Sequence, residues 1–189
     1  MADMKRPFLF IGFLAVLLLN VTNLQAETLV TGITREILTD DKSFQEAVTS
    51  LIDGKREVAD RQFQAILTAN PRHFYAMLGR AEIALLKGQI AEADKLIRQA
   101  LNVDGKAAVA HNMLGMVYLA QHKQSEAVPE FIKAIQLNDK FWAPHLHLAR
   151  VYRAENKPQQ AIEEFRAIVK IDPKADVAHV GIEIGRAHV

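Results

Sequence analysis

The sequence predicts an all-α fold, a right-handed superhelical solenoid of four 34-residue helix-turn-helix units and the start of a fifth. Three observations carry that prediction. Written without gaps, residues 40–73, 74–107, 108–141 and 142–175 fall into columns: Ala59, Ala93, Ala127, Ala161, then Phe63, Ile97, Phe131, Phe165, then Leu67, Leu101, Ile135, Val169. Within each unit the apolar and small residues recur at spacings of three and four, as on a helix with one buried stripe. No β-type alternation of useful length interrupts them. A fixed period of this size marks a stacked array, in which no unit buries its apolar face alone.

Bulk composition agrees with one globular domain: 189 residues, 50% hydrophobic and 24% charged, with a formal net charge of +1. There is no basic run or aromatic-basic interleave, which argues against a nucleic-acid partner. The chain has no cysteine, so disulfides, thiolate metal sites and thiol nucleophiles are excluded.

Taken in order, residues 1–26 read as an export signal. Lys5 and Arg6 precede an apolar run from Phe8 to Leu19, and a polar stretch ends at Ala26 before Glu27. The run is shorter than the ~20 residues a membrane-crossing helix needs. An uncleaved N-terminal anchor facing the periplasm is the alternative. Without Asp3, Lys5 and Arg6 the remaining chain carries 21 basic and 21 acidic residues. Residues 27–39 form a linker or N-terminal cap, with Leu29, Val30, Ile33, Ile37 and Leu38 as its apolar content.

Each of the four units divides into two helical halves. In 108–141, Leu114, Gly115 and Tyr118 share one face of a first helix, and Ala127, Phe131, Ala134 and Ile135 one face of a second. The small column Ala47, Ala81, Gly115, Ala149 lets the two helices approach. Between the halves stand Asp53-Gly54, Lys87-Gly88, Gln121-His122 and Glu155-Asn156; Gly and Asn accept a left-handed turn readily, His less so. Pro71 and Pro173 follow second helices, and Pro144 and Pro158 fall in first turns. Pro129 lies about a turn inside its helix and is expected to trim the helix start. Residues 176–183 open a fifth unit. The pattern stops at 184–189, which read as a non-native tail, so the native chain is expected to continue.

These residues resemble the tetratricopeptide repeat family, whose pattern sets Leu-Gly and an aromatic on the first helix, Ala and an aromatic on the second, and Pro at the end. Leu114, Gly115, Tyr118, Ala127, Phe131 and Ala134 match in the third unit. Leu148, Ala149, Tyr152, Ala161, Phe165 and Pro173 match in the fourth. The first two units keep the second helix but set Glu46 and Arg80 in the leucine column and Ser50 and Ala84 in the aromatic one; Phe44 and Leu78 are expected to supply the missing bulk.

The resemblance implies a concave groove lined by the first helices. Carried over, its lining comprises Phe44, Leu78, Asn112 and Leu146 at the fifth place of each repeat. Val48, Glu82, Met116 and Arg150 follow at the ninth, and Leu51, Leu85, Leu119 and Arg153 at the twelfth. Such a groove is apolar at its N-terminal end and basic toward Arg150 and Arg153, which suits a peptide with apolar anchors and an acidic end. The apolar end also reads as core, covered by residues 28–38. It does not resemble the family's carboxylate clamp, because Phe44 and Val48 stand where that clamp has Lys and Asn.

The sequence carries no motif for catalysis or metal binding. His111, His145 and His179 share a column, but successive first helices lie too far apart for two imidazoles to share an ion, and they read as packing residues. Glu163 and Glu164 read as solvated surface, and no phosphate-cradling loop or nucleophile motif is present. The expectation is a non-enzymatic, cofactor-free interaction scaffold of the cell envelope that takes a protein or peptide partner. Two alternatives are the N-terminal region of a larger exported transferase or protease, and an array that self-associates through its last helix.

Overall fold

The structure, a computed structural model, describes residues 41–186. The signal segment 1–26 and the linker 27–39 lie outside the described residues, as do the last three residues of the tail. Among those described, every element is a helix: α1 Lys42–Ile52, α2 Arg56–Ala69, α3 Phe74–Leu86, α4 Ile90–Val103, α5 Ala108–Ala120, α6 Gln124–Leu137, α7 Trp142–Ala154, α8 Pro158–Ile171 and α9 Asp176–Arg186. Each helix packs on the next, and α3 with α5 and α5 with α7 also touch. First helices therefore stand beside first helices, as a stack of hairpins requires.

Both types of turn are written into the repeat. Inside each hairpin one residue takes the left-handed conformation: Gly54 at φ 74°, Gly88 at 71°, His122 at 60° and Asn156 at 57°. The following N–H reaches back five residues, Lys55 to Ser50, Gln89 to Ala84, Lys123 to Tyr118 and Lys157 to Tyr152, at 2.8–2.9 Å. This closes the first helix with a Schellman cap. Between hairpins, Asn70, Asp104, Asn138 and Asp172 each accept the N–H two residues on, at 2.9–3.1 Å. The side chain thus imitates a backbone turn.

Pro129 does not trim its helix. All four second helices begin at the same place in the repeat, Arg56, Ile90, Gln124 and Pro158, and α6 runs through the proline. The ring forfeits only an N–H to the carbonyl of Ser125, an exposed first-turn residue whose carbonyl water can serve.

The core is organised around one bulky second-helix residue per repeat. Phe63, Ile97, Phe131 and Phe165 are each at 2% exposure or less. Where that residue is phenylalanine, a first helix answers with glycine. A Cβ on Gly79 would come within 2.5 Å of Phe63, one on Gly115 within 2.5 Å of Phe131, and one on Gly181 within 2.5 Å of Phe165. Ile97 stands between Ala81 and Met113, the two positions that correspond to those glycines, and neither is glycine. Volume is conserved by exchange between helices, as close packing demands. Gly115→Ala is accordingly expected to cost about 1–3 kcal/mol beside Phe131 and much less in a Phe131→Ile background. Thermal melts of the two single variants and the double variant check this; strictly additive losses would mean the positions share no space.

Two departures from the family pattern resolve here. In the leucine column of repeat two, Arg80 Nε lies 2.9 Å from Asp60 Oδ1 on α2, so an ion pair replaces the apolar contact. In repeat one, Phe44 supplies the missing bulk, packing on Phe63 at 5.8 Å between ring centroids. At the other end, α9 continues beyond residue 183 to Arg186, and a Cβ on Gly185 would lie 2.6 Å from Ile162. Val180 is 57% exposed, whereas its column mates Phe44, Leu78, Asn112 and Leu146 are at 2% or less, each with a following repeat against it.

Candidate functional site

The twelve expected lining residues fall on four successive first helices but differ in access. Phe44, Leu78, Asn112 and Leu146 are buried. Phe44 shows why, since its ring stacks on His73 at 5.4 Å and meets Tyr75 at 6.1 Å, both at the start of the next first helix. This column is the packing layer between neighbouring repeats rather than an open lining. Val48, Met116 and Arg150 are half-buried, as are Leu85 and Leu119, while Leu51 is buried and Arg153 exposed. In the twelfth-place column accessible surface thus increases toward repeat four, where the charge is basic.

Three polar side chains of the first helices carry buried atoms without a hydrogen-bond partner. Glu82, at 1% exposure, has both carboxylate oxygens unpaired. Burial pushes its carboxyl up to about 8, so the group is neutral at pH 7. Asn112 leaves its Oδ1 unpaired, with its amide nitrogen 3.9 Å from Met116 Sδ. His147 stacks on Phe131 at 5.1 Å with Nε2 unpaired. Burial first, and the Arg150 charge second, press that imidazole down to about 3. Arg150 is itself held below its ordinary value by burial and by Arg153 beside it. Among the described residues neither arginine forms an ion pair with an acid, so repeat four presents two uncompensated cations to the concave side.

The histidine column ties first helices to the second helix or the turn beside them, and sequence reading missed its partners. His111 Nδ1 lies 2.7 Å from Glu130 and its Nε2 3.2 Å from the Gly105 carbonyl. His145 Nδ1 lies 2.6 Å from Glu164, and His179 Nε2 3.0 Å from the Pro173 carbonyl. Glu164 is therefore an interhelical partner at 21% side-chain exposure and not solvated surface, which corrects the reading of that acid pair. The signal available was a His with a Glu nineteen residues on, in both repeat three and repeat four. In repeat two the same two places hold Met77 and Leu96, both buried, so an apolar pair and a hydrogen-bonded pair are interchangeable there.

Two family models, both described as tetratricopeptide repeat, match residues 53–110 and 118–180. Comparison with curated proteins finds no match. Among solved structures, a thermophilic TPR protein of Thermus thermophilus aligns with a TM-score of 0.71 at 17% identity, covering 95% of this chain and 97% of its own. Pseudomonas aeruginosa pilF aligns at 0.70 with 22% identity, covering 77% of this chain and 66% of its own. YrrB, described as a TPR protein with an unusual peptide-binding site, aligns at 0.56 with 19% identity, covering 86% and 84%. At these identities the likeness shows the fold, an all-α repeat solenoid.

Proposed function

The chain belongs to the tetratricopeptide repeat family, a protein–protein interaction fold, and on that premise we propose that it is a non-catalytic scaffold of the cell envelope gripping a peptide segment of a partner. The segment lies along the first helices, with apolar side chains toward Val48 and Leu85 and an acidic end at Arg150 and Arg153. The observation that carries this reading is the pair of arginines without an acidic partner among the described residues, one of them half-buried. A half-buried cation beside a like charge favours an incoming carboxylate more than a solvated lysine would. The peptide-binding site for which YrrB is described shows that the fold supports such a role in another protein. The envelope setting rests on Lys5, Arg6, the apolar run Phe8 to Leu19 and the small residue Ala26.

A panel of peptides with apolar anchors and either an acidic or an amidated neutral end tests the groove. Arg150→Glu with Arg153→Glu is expected to weaken the acidic-ended peptides by at least about tenfold, with helical content unchanged. Equal binding of acidic and neutral ends before substitution would remove the arginines from the site. A reporter enzyme active only after export, fused behind residue 39, tests the address; activity that survives removal of residues 1–26 would refute it.

A further inference from the structure

Glu82 sits at 1% exposure on α3 with both carboxyl oxygens unpaired. Its column mates include Val48 and Met116, so the fold does not require an acid at that place. An apolar side chain of similar size would avoid the desolvation that a buried carboxyl suffers. The chain also turns its nearest cations elsewhere. Arg80 Nε, two residues back on α3, lies 2.9 Å from Asp60 Oδ1, and Lys87 Nζ, just beyond the helix, lies 3.9 Å from Asp60 Oδ2. Both basic groups go to α2 and leave the carboxyl alone.

Another orphaned oxygen stands on the neighbouring first helix. Asn112, at 2% exposure on α5, leaves Oδ1 unpaired and sets its amide nitrogen 3.9 Å from Met116 Sδ, toward the half-buried ninth-place side chain of its repeat. First helices meet with a step of 31 residues, as Phe44 meets Tyr75. The same step carries Glu82 to Met113, the chain neighbour of Asn112, and α3 touches α5. Three oxygens from two helices thus gather on one stretch of the first-helix face, and no donor from elsewhere in the chain reaches them.

We propose that Glu82 and Asn112 form a subsite for one basic side chain of the partner segment, an arginine by preference. A guanidinium carries only N–H donors, set in a planar fork, which matches oxygens that lack donors. As it enters, the carboxyl releases its proton to solvent and the buried charge is paired. Met116 is the side chain that gives way: it is half-buried, within 3.9 Å of Asn112, and an unbranched thioether changes rotamer at little cost. The subsite rests on the first helices being the binding surface and deepens that reading. The segment carries a cation at repeats two and three and an acid at repeat four. Two steps of about 8–10 Å between first helices separate Glu82 from Arg150, a distance that an extended chain spans in about five or six residues.

Isothermal titration of the full chain with paired peptides tests the subsite. Both members share apolar anchors and an acidic end, and differ only in carrying arginine or its neutral isostere citrulline about five or six residues from the acid. A second pair reverses the order of the segment. In one of the two orders the arginine peptide is expected to bind at least about tenfold tighter than its citrulline partner. Glu82→Gln keeps the shape of the neutral carboxyl and is expected to bring the two within about twofold, while the preference for an acidic over an amidated neutral end persists. Glu82→Met copies Met116 at the same place of repeat three and is expected to show the same loss, which guards against an amide that disturbs packing. Equal binding of arginine and citrulline in both orders, or an arginine preference that survives both substitutions, would overturn the subsite. The readings separate: absent arginine selection with intact acid selection removes the subsite alone, and the converse removes the repeat-four site alone.

Discussion

Phe131→Ala is expected to lower stability by about 3–5 kcal/mol, a fall of roughly 10 °C in Tm for a chain of this size. Phe131 has 0% exposure and is the bulky residue of repeat three. Its surroundings cannot close over the hole. On one side stands Gly115, with no side chain to move in; on the other His147 stacks on the ring and would lose its neighbour. Cavity cost grows with the volume that stays empty, so the upper half of the range applies. Repeats also stabilise one another across their interfaces, so hydrogen exchange should quicken in α5 and α7 as well as in α6. A Tm within error of the unaltered protein would refute a core organised around these residues.

Lowering the pH from 7 to 4 is expected to cost the protein about 2–3 kcal/mol through His147 alone. The sign follows from its imidazole, held near 3 in the folded chain against 6.5 for the free group. A depressed folded value means the unfolded chain takes up the proton first. The contribution to stability is complete above pH 6.5 and drains away as pH falls toward 3. Water cannot reach Nε2, and no acceptor waits beside it, so a proton there would be buried near the Arg150 charge without compensation. His147→Met copies Met113 at the same place in the preceding repeat and removes the titration. Urea unfolding of both proteins at pH 7 and pH 4 isolates the effect, because the His111–Glu130 and His145–Glu164 pairs are common to both. If the two proteins lose the same stability between those values, the imidazole is not buried neutral.

The hairpins were legible because each repeat states the same instructions in one place. Helix spacing, a left-handed turn residue and an Asn or Asp that closes the link recur at fixed positions, and four copies average out local exceptions such as His122. Pro129 was misread for the opposite reason: propensity warns against proline inside a helix, while the array holds all four second helices to one starting point. The expected lining was legible as a set of columns and not as a surface. Counting places along a first helix cannot tell that the fifth place meets the next repeat, as Phe44 meets His73 and Tyr75, nor that Glu82 at the ninth place and Leu51 at the twelfth are buried while Arg153 is exposed.

The sequence by itself determined the all-α repeat, the boundaries of its hairpins and the basic character of repeat four, since these depend on residues near one another in the chain. Only the tertiary structure decided which of those residues have partners. Glu164 found His145, Arg80 found Asp60, Gly115 made room for Phe131, and Glu82 and His147 were left with buried atoms unpaired. Pairing and burial are properties of two helices brought together, and a period of 34 residues fixes that they meet without stating which side chains will touch.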